Sequence, residues 1–78
     1  MFNGRLIYDI SAERLDIVAA DGGCYGGLHC GETLEVLCPC CQEWRGCRVE
    51  YGSDWFLAEL GELGKQPELF LSLPARIE

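Results

Sequence analysis

The stretch from residue 33 to residue 51 reads TLEVLCPCCQEWRGCRVEY, and it dominates the prediction of the fold. Apolar and polar residues alternate on both sides of a cysteine-rich segment, a pattern typical of two half-buried strands joined as a hairpin. If Cys38 lies opposite Cys47 across the loop, the antiparallel register places Glu35 opposite Glu50. The apolar side chains then share one face of the hairpin and the charged side chains share the other, because side chains alternate along a strand.

This register assigns each hairpin residue to a face. The predicted buried face carries Leu34, Val36, Cys38, Cys47, Val49 and Tyr51. The predicted outer face carries Glu35, Leu37, Arg48 and Glu50. A slip of one residue would move every apolar side chain to the solvent side, so the pattern supports the pairing.

The rest of the chain shows short apolar runs separated by glycine, proline and acidic turn signals. The predicted strands are Gly4–Tyr8, Leu15–Ala20, Thr33–Cys38, Trp44–Tyr51, Trp55–Leu60 and Leu69–Ile77. Short strands at this spacing predict an all-β, mainly antiparallel domain over residues 1–78, a small SH3-like barrel or sandwich of five to six strands with a zinc-stapled hairpin. Pro74 predicts an edge strand or a break in the last run. Gly61 and Gly64 disfavour a stable helix near Ala58–Leu63.

The charge balance restricts the possible partners. Six basic residues stand against thirteen acidic ones, which gives a formal net charge of −7. This charge argues against direct binding to nucleic acid or to anionic membranes and favours a basic protein partner. No apolar run approaches the length of a membrane span. No secretory signal is visible, so we expect a cytoplasmic protein in a reducing compartment, where clustered thiols indicate metal more often than disulfides.

Six cysteines in 78 residues point to a stabilising cross-link, because a domain this short is marginal on its core alone. Cys38 and Cys41 have the two-residue spacing of a zinc knuckle, and Cys47 would supply a third thiolate from the returning strand. The predicted structural zinc site is Cys38, Cys40, Cys41 and Cys47. The fourth ligand stays open between Cys40 and three residues upstream, Cys24, His29 and Cys30. A Cys38–Cys47 disulfide, buried free thiols and a redox-active pair are the alternatives.

The outer face of the hairpin is the predicted partner-binding site. Glutamates directly opposed across two strands destabilise the pairing, so Glu35 opposite Glu50 indicates either a functional surface or a solvated face that Arg48 partly neutralises. Trp44 lies at the hairpin end, where it either covers the metal site or anchors a partner, since tryptophan is enriched among residues that dominate binding energy. Glu43 extends the acidic surface beside it. Catalysis is not expected, because the chain has a single histidine and shows neither a nucleophile elbow nor a phosphate-binding glycine loop.

Several segments resemble a family of small, uncharacterised all-β proteins of Gram-positive bacteria and their mobile elements. The similarity covers Tyr25–Glu32, Leu34–Val36, Trp44, Arg48–Glu50 and Asp54–Leu57. The segment Cys38-Pro39-Cys40-Cys41 departs from that pattern, which makes the metal site an addition to the family. The small size, acidity and cysteines also give the chain the overall character of a zinc-containing phage anti-CRISPR protein. This second resemblance implies an inhibitor that binds the type II RNA-guided nuclease.

The leading functional prediction is therefore a non-enzymatic protein that blocks target-DNA loading or cleavage by that nuclease in the bacterial cytoplasm. One alternative is a zinc-stabilised structural or regulatory subunit of a bacterial complex. Another alternative is a thiol-redox protein that uses the cysteine cluster.

Overall fold

The computed structural model describes all 78 residues. It contains six strands and two single-turn helices, joined by turns and loops. The strands are β1 (Phe2–Asp9), β2 (Arg14–Val18), β3 (Thr33–Leu37), β4 (Trp44–Tyr51), β5 (Trp55–Ala58) and β6 (Pro74–Ile77). The helices are α1 (Glu62–Lys65) and α2 (Pro67–Phe70). The prediction of an all-β domain of six short strands is confirmed.

All six strands belong to one antiparallel sheet in the order β2-β1-β6-β3-β4-β5. The edge strands β2 and β5 do not pair with each other, so the sheet is open and is not closed by strand pairing as a barrel would be. The sheet is nevertheless bent. The indole nitrogen of Trp55, at the start of β5, donates a hydrogen bond to the carbonyl of Glu13, just before β2, at 3.2 Å. The two edges of the sheet therefore meet.

The inward face of the bent sheet forms the core. Thirteen buried residues make one hydrophobic cluster with contributions from all six strands. Phe70 from α2 and Leu28 from the loop before β3 are fully buried within it. Because every strand donates its inward side chains to the same cluster, the packing fixes which face of each strand points outward.

The prediction places most side chains of the β3–β4 hairpin on the correct face of the sheet, but the register that it predicts is wrong. Cys47 lies opposite Leu34, not opposite Cys38. The N–H of Cys38 donates to the carbonyl of Glu43 at 2.8 Å, which closes a shorter loop than predicted. Gln42 adopts a left-handed backbone conformation, with φ of 59°, and turns the chain there. The pairing is shifted by four residues, and an even shift leaves every side chain on its predicted face.

The faces of the hairpin follow the prediction except at its far end. Leu34, Val36, Cys38, Cys47 and Val49 are all buried. Tyr51, which the sequence pattern predicts to be on the buried face, is 56% exposed because β4 extends beyond the core there.

The segment Asp21-Gly22-Gly23 forms a tight turn after β2. The carbonyl of Gly23 accepts the N–H of Ala19 at 2.7 Å, and Gly22 has a φ of +94°, which favours glycine. The chain then returns along the outer edge of β2, where the N–H of Tyr25 donates to a carbonyl of that strand. This loop covers the edge that the open sheet would otherwise leave unpaired.

The C-terminal strand prediction is partly wrong. The first residues of the predicted strand from Leu69 belong to α2 and to the turn that follows it, and β6 begins only at Pro74. A proline is tolerated as the first residue of a strand, which explains how β6 sits centrally between β1 and β3 and not at an edge.

Helix α1 forms despite its glycine. A Cβ at Gly64 would lie 1.9 Å from the carbonyl oxygen of Leu57, so only glycine lets α1 pack directly on β5. The tertiary contact thus overrides the low helix propensity of glycine. Neither α1 nor α2 is long and apolar enough to cross a membrane.

Candidate functional site

Trp44 begins β4 on the outer side of the sheet, and its side chain is held in place. It is 36% exposed. The guanidinium carbon of Arg76 lies 4.0 Å from the centroid of the indole ring. Arg76 Nε in turn donates to Glu35 Oε1 at 2.7 Å. A cation over an aromatic face and a charge-assisted hydrogen bond both favour a single arrangement, so an exposed tryptophan is ordered before any partner arrives.

The sheet order explains this arrangement. Glu35 on β3 lies beside Arg76 on β6 and beside Gly46 on β4. Gly46 has no side chain, so the outer surface of β4 is open next to Trp44. Sequence reasoning missed Arg76, which is 41 residues from Glu35 along the chain. The alternation of residues 74–77 was the available signal, because it places Arg76 on the face opposite two buried residues.

Glu50 is also on the outer side of the sheet, but it does not oppose Glu35. The register pairs Glu50 with Phe56 of β5. Its carboxylate binds the guanidinium of Arg48, and Arg48 Nη1 lies 3.6 Å from Glu59 Oε2. The hydrogen bond and charge of Glu50, followed by the charge of Glu59, raise the pKa of the Arg48 guanidinium. The predicted repulsion between two glutamates is therefore wrong, since each of them has its own arginine.

Glu43 is the loop residue next to Trp44. It is exposed, and its carboxylate takes part in no ion pair. We call the surface formed by Glu35, Glu43, Trp44 and Arg76 the Trp44 face. Of the four predicted partner-binding residues, Glu50 lies outside it, six residues and about 20 Å from Trp44 along β4.

Three of the four predicted metal ligands belong to the loop between β3 and β4. Cys38 is buried at the base of the loop, while Cys40 and Cys41 are exposed. Hydrogen bonding from the N–H of Cys41, then from its thiol and from the N–H of Cys40, lowers the pKa of the Cys38 thiol. The nearby charge of Arg45 acts in the same direction. The loop backbone thus favours a thiolate at Cys38 without a helix N-terminus.

Cys47 is not part of that loop cluster. It is 2% exposed within the hydrophobic core, where burial, followed by the charge of Glu59, raises the pKa of its thiol to about 12. In the observed register Cys38 lies opposite Glu43, four residues from Cys47, which is about 13 Å along the strand. Two thiolates on one zinc ion must both lie about 2.3 Å from the metal, so Cys38 and Cys47 cannot share one here.

The alternative ligands lie elsewhere. Cys24 and Cys30 are exposed in the loop between β2 and β3. His29 Nδ1 is 2.8 Å from Arg14 Nη1, so it belongs to a local hydrogen-bonding network. No group of three or more cysteine, histidine or carboxylate residues in the structure is arranged to hold a metal ion, and all six thiols are free.

Fold and surface together define a small all-β domain with an ordered, exposed tryptophan. Residues 4–77 match the family described as a domain of unknown function, DUF5348, and the chain belongs to that family. A crystal structure of a protein from Ruminococcus gnavus, from the Northeast Structural Genomics Consortium, is 34% identical with a TM-score of 0.76, over 97% of this chain and 100% of that one. Comparison with curated proteins finds no match. The resemblance to a family of small all-β domains is thus confirmed, while the bacterial group and the inhibitor resemblance stay predictions.

Proposed function

We propose that this protein is a non-enzymatic binding protein whose Trp44 face docks on a basic surface of a protein partner. The observation that carries the proposal is the exposed indole of Trp44, ordered by Arg76 and Glu35. Tryptophan is enriched among residues that dominate binding energy. A side chain that is already ordered loses less conformational freedom on binding, so more of its contact energy contributes to affinity.

Charge supports a basic partner. The chain carries a net charge of −7, and Glu43 next to Trp44 is exposed and unpaired. Acidic proteins associate faster with oppositely charged surfaces and are repelled by nucleic acid itself. The partner we propose is the type II CRISPR effector nuclease in the cytoplasm of the bacterial host. That class of nuclease holds its guide–target duplex in a positively charged channel, which an acidic protein can block.

The first test is a pull-down against the purified nuclease combined with a DNA-cleavage assay. We expect binding and inhibition at micromolar concentration, and the absence of both would remove the proposed partner. Trp44→Ala should weaken binding, while Leu69→Ala, which truncates another exposed apolar side chain (44% exposed) on α2, should not. Glu43→Lys tests the charge better than reversal at Glu35 or Glu50, because those two glutamates hold arginines of the fold.

The cysteine loop favours a second candidate function, a zinc-stabilised structural or regulatory subunit. The supporting observation is that Cys38, Cys40 and Cys41 lie in one short loop, where hydrogen bonding lowers the pKa of the Cys38 thiol. Cys38 and Cys41 would supply two thiolates, with Cys40 beside them, and a second copy of the chain would complete a tetrahedral site. Metal analysis together with light scattering tests this: half a zinc ion per chain in a dimer supports it, and a zinc-free monomer contradicts it. Cys41→Ser should abolish the metal, whereas Cys24→Ser, in the other loop, should not.

The same loop also fits the thiol-redox alternative, because a thiol whose pKa is lowered, as that of Cys38 is, forms the reactive thiolate more readily. Alkylation of the folded protein separates the two readings. A single fast-reacting thiol that Cys38→Ser removes supports redox chemistry, and uniformly slow thiols contradict it.

A further inference from the structure

A concave surface lies where the two edges of the sheet meet, and it is separate from the Trp44 face. It has a volume of about 290 Å³ and is open to solvent. Three aromatic residues and two carboxylates line it, together with the exposed Cys30. We call it the aromatic cleft, and its five main residues are Tyr8, Glu13, Tyr51, Asp54 and Trp55.

Two of the three rings of the aromatic cleft, those of Tyr51 and Trp55, are held by specific contacts. Tyr51 and Trp55 form an edge-to-face pair with their centroids 4.9 Å apart. The indole nitrogen of Trp55 donates to the carbonyl of Glu13 at 3.2 Å, and its backbone N–H donates to Asp54 Oδ1 at 2.8 Å. Both ends of Trp55 are therefore anchored by the two residues that also bring carboxylates to the cleft.

The rings do more than seal the core. Tyr8 is 40% exposed and Tyr51 is 56% exposed, although Leu6 and Val49, two positions earlier on the same faces of their strands, are fully buried. A residue that only closed the edge of a core would turn its apolar surface inward. These two tyrosines present their rings to solvent in the same cleft as Trp55.

The charge of the aromatic cleft is not compensated. Neither Glu13 nor Asp54 forms an ion pair within the chain. The nearby Arg14 directs its guanidinium to the carbonyl of Leu28 and to the ring of His29. Aromatic faces and carboxylates both attract cations, the rings through their electron-rich faces and the carboxylates through charge and hydrogen bonds.

We propose that the aromatic cleft binds the cationic side chain of a lysine or arginine presented by a protein partner. The rings would contact the aliphatic stem and the face of the cation, and Glu13 and Asp54 would accept its N–H groups. The inference does not depend on the Trp44 face, because Tyr51 and Trp44 lie at opposite ends of β4, about 23 Å apart along the strand.

The test uses three capped glycine-rich pentapeptides that carry a central arginine, lysine or citrulline. Citrulline has nearly the shape of arginine but no charge. Binding is followed by two-dimensional ¹H–¹⁵N NMR on the ¹⁵N-labelled full chain, which has two tryptophans and therefore two indole N–H signals. We expect the arginine or lysine peptide to shift the Trp55 signal in a saturable way while the Trp44 signal stays in place. The stronger of the two peptides identifies the preferred cation.

A pair of double variants then separates local recognition from net charge. Glu13→Gln with Asp54→Asn removes both carboxylates of the cleft, and Glu68→Gln with Glu78→Gln removes two exposed side-chain carboxylates elsewhere that form no ion pair. The first pair should weaken binding about fivefold or more, and the second should change it by less than about twofold. An unmoved Trp55 signal would overturn the proposal, as would an equal shift by citrulline or an equal loss in both double variants. The comparison of the three peptides uses the unaltered protein, so it tests whether the cleft binds a cation even if a variant folds poorly.

Discussion

Replacing the buried Cys47 by alanine should change how the stability of the protein depends on pH. The thiol is 2% exposed, lies opposite Leu34 and has a pKa of about 12 in the folded protein, raised mainly by burial and further by the charge of Glu59. In the unfolded chain the thiol has its ordinary pKa of 9.0. Because the folded value is the higher one, the stabilising contribution is fully present below pH 9 and is lost as the pH rises toward 12.

The size of the effect follows from this difference. Above pH 9, unfolding releases the Cys47 proton, and each further pH unit lowers the free energy of unfolding by about 1.4 kcal/mol. Between about pH 8 and about pH 10.5 the loss is about 2 kcal/mol. Cys47→Ala lacks this loss but leaves a small void that costs about 1 kcal/mol at every pH. We therefore expect the variant to be the less stable protein at pH 8 and the more stable one at pH 10.5.

Urea unfolding followed by tryptophan fluorescence, in the presence of a reductant, measures both proteins at both pH values. Tyr25 also loses a stabilising contribution in alkali, because its hydrogen bond to Glu32 raises the pKa of its hydroxyl. Tyr25 is present in both proteins, so the difference between them isolates Cys47. A difference that stays constant from pH 8 to pH 10.5 would refute the assignment of Cys47 as a buried neutral thiol.

Three further predictions concern the packing and are checked by the same urea unfolding at neutral pH. Gly64→Ala should lower the free energy of unfolding by about 3 kcal/mol, because its Cβ would lie 1.9 Å from a backbone oxygen of β5. Gly46→Ala, whose Cβ would have no atom within 4 Å, should lower it by less than about 0.5 kcal/mol. Equal losses in the two variants would contradict the packing of α1. Phe70→Ala should lower the free energy of unfolding by about 3–5 kcal/mol, because Phe70 is fully buried, whereas Leu69→Ala at the exposed neighbouring position should lower it by about 0.5 kcal/mol. The reverse order would contradict the assigned core. Tyr25→Phe should cost about 1 kcal/mol by removing the hydroxyl that donates to a carboxylate 3.0 Å away, and no cost would show that water replaces this bond.

The faces of the β3–β4 hairpin could be predicted from the sequence because side-chain alternation is a local property. Val36 and Val49 are both fully buried, and Glu35 and Glu50 both point outward, although the predicted register was four residues away from the real one. The observed register depends on the backbone conformation and hydrogen bonding of the loop between the two strands. The sequence favoured matching Cys38 with Cys47, whereas the turn at Gln42 and the bond from Cys38 to Glu43 formed a tighter loop.

The neighbours of the Trp44 face could not be predicted, because they depend on the sheet order. β6 comes last in the chain yet pairs with both β1 and β3, which brings Arg76 to Glu35 and Trp44. Long-range pairing of this kind leaves no local pattern. The aromatic cleft was missed for the same reason, since Tyr8 and Trp55 meet only when the edges of the open sheet bend together.

The environment of each cysteine likewise could not be predicted from the spacing of the cysteines in the sequence. The Cys38–Cys41 spacing predicted a zinc knuckle, and both residues lie in or at the base of the loop between β3 and β4. The same reasoning assigned Cys47 to that cluster, but the shifted register buries it in the core instead. A structural zinc ion therefore stays a prediction for the loop, and in the form proposed above it requires ligands from a second chain.

The most direct test of the proposed function is the affinity of the protein for the type II effector nuclease, measured by isothermal titration calorimetry with the unaltered chain, Trp44→Ala and Leu69→Ala. Truncating a residue that dominates an interface costs about 2 kcal/mol or more, so Trp44→Ala should weaken binding about 30-fold or more. Leu69→Ala, on a surface outside the Trp44 face, should change the affinity by less than about threefold. An unaltered chain that does not bind at micromolar concentration, or a Trp44→Ala variant that binds as tightly as Leu69→Ala, would contradict the assignment of the Trp44 face as the binding surface.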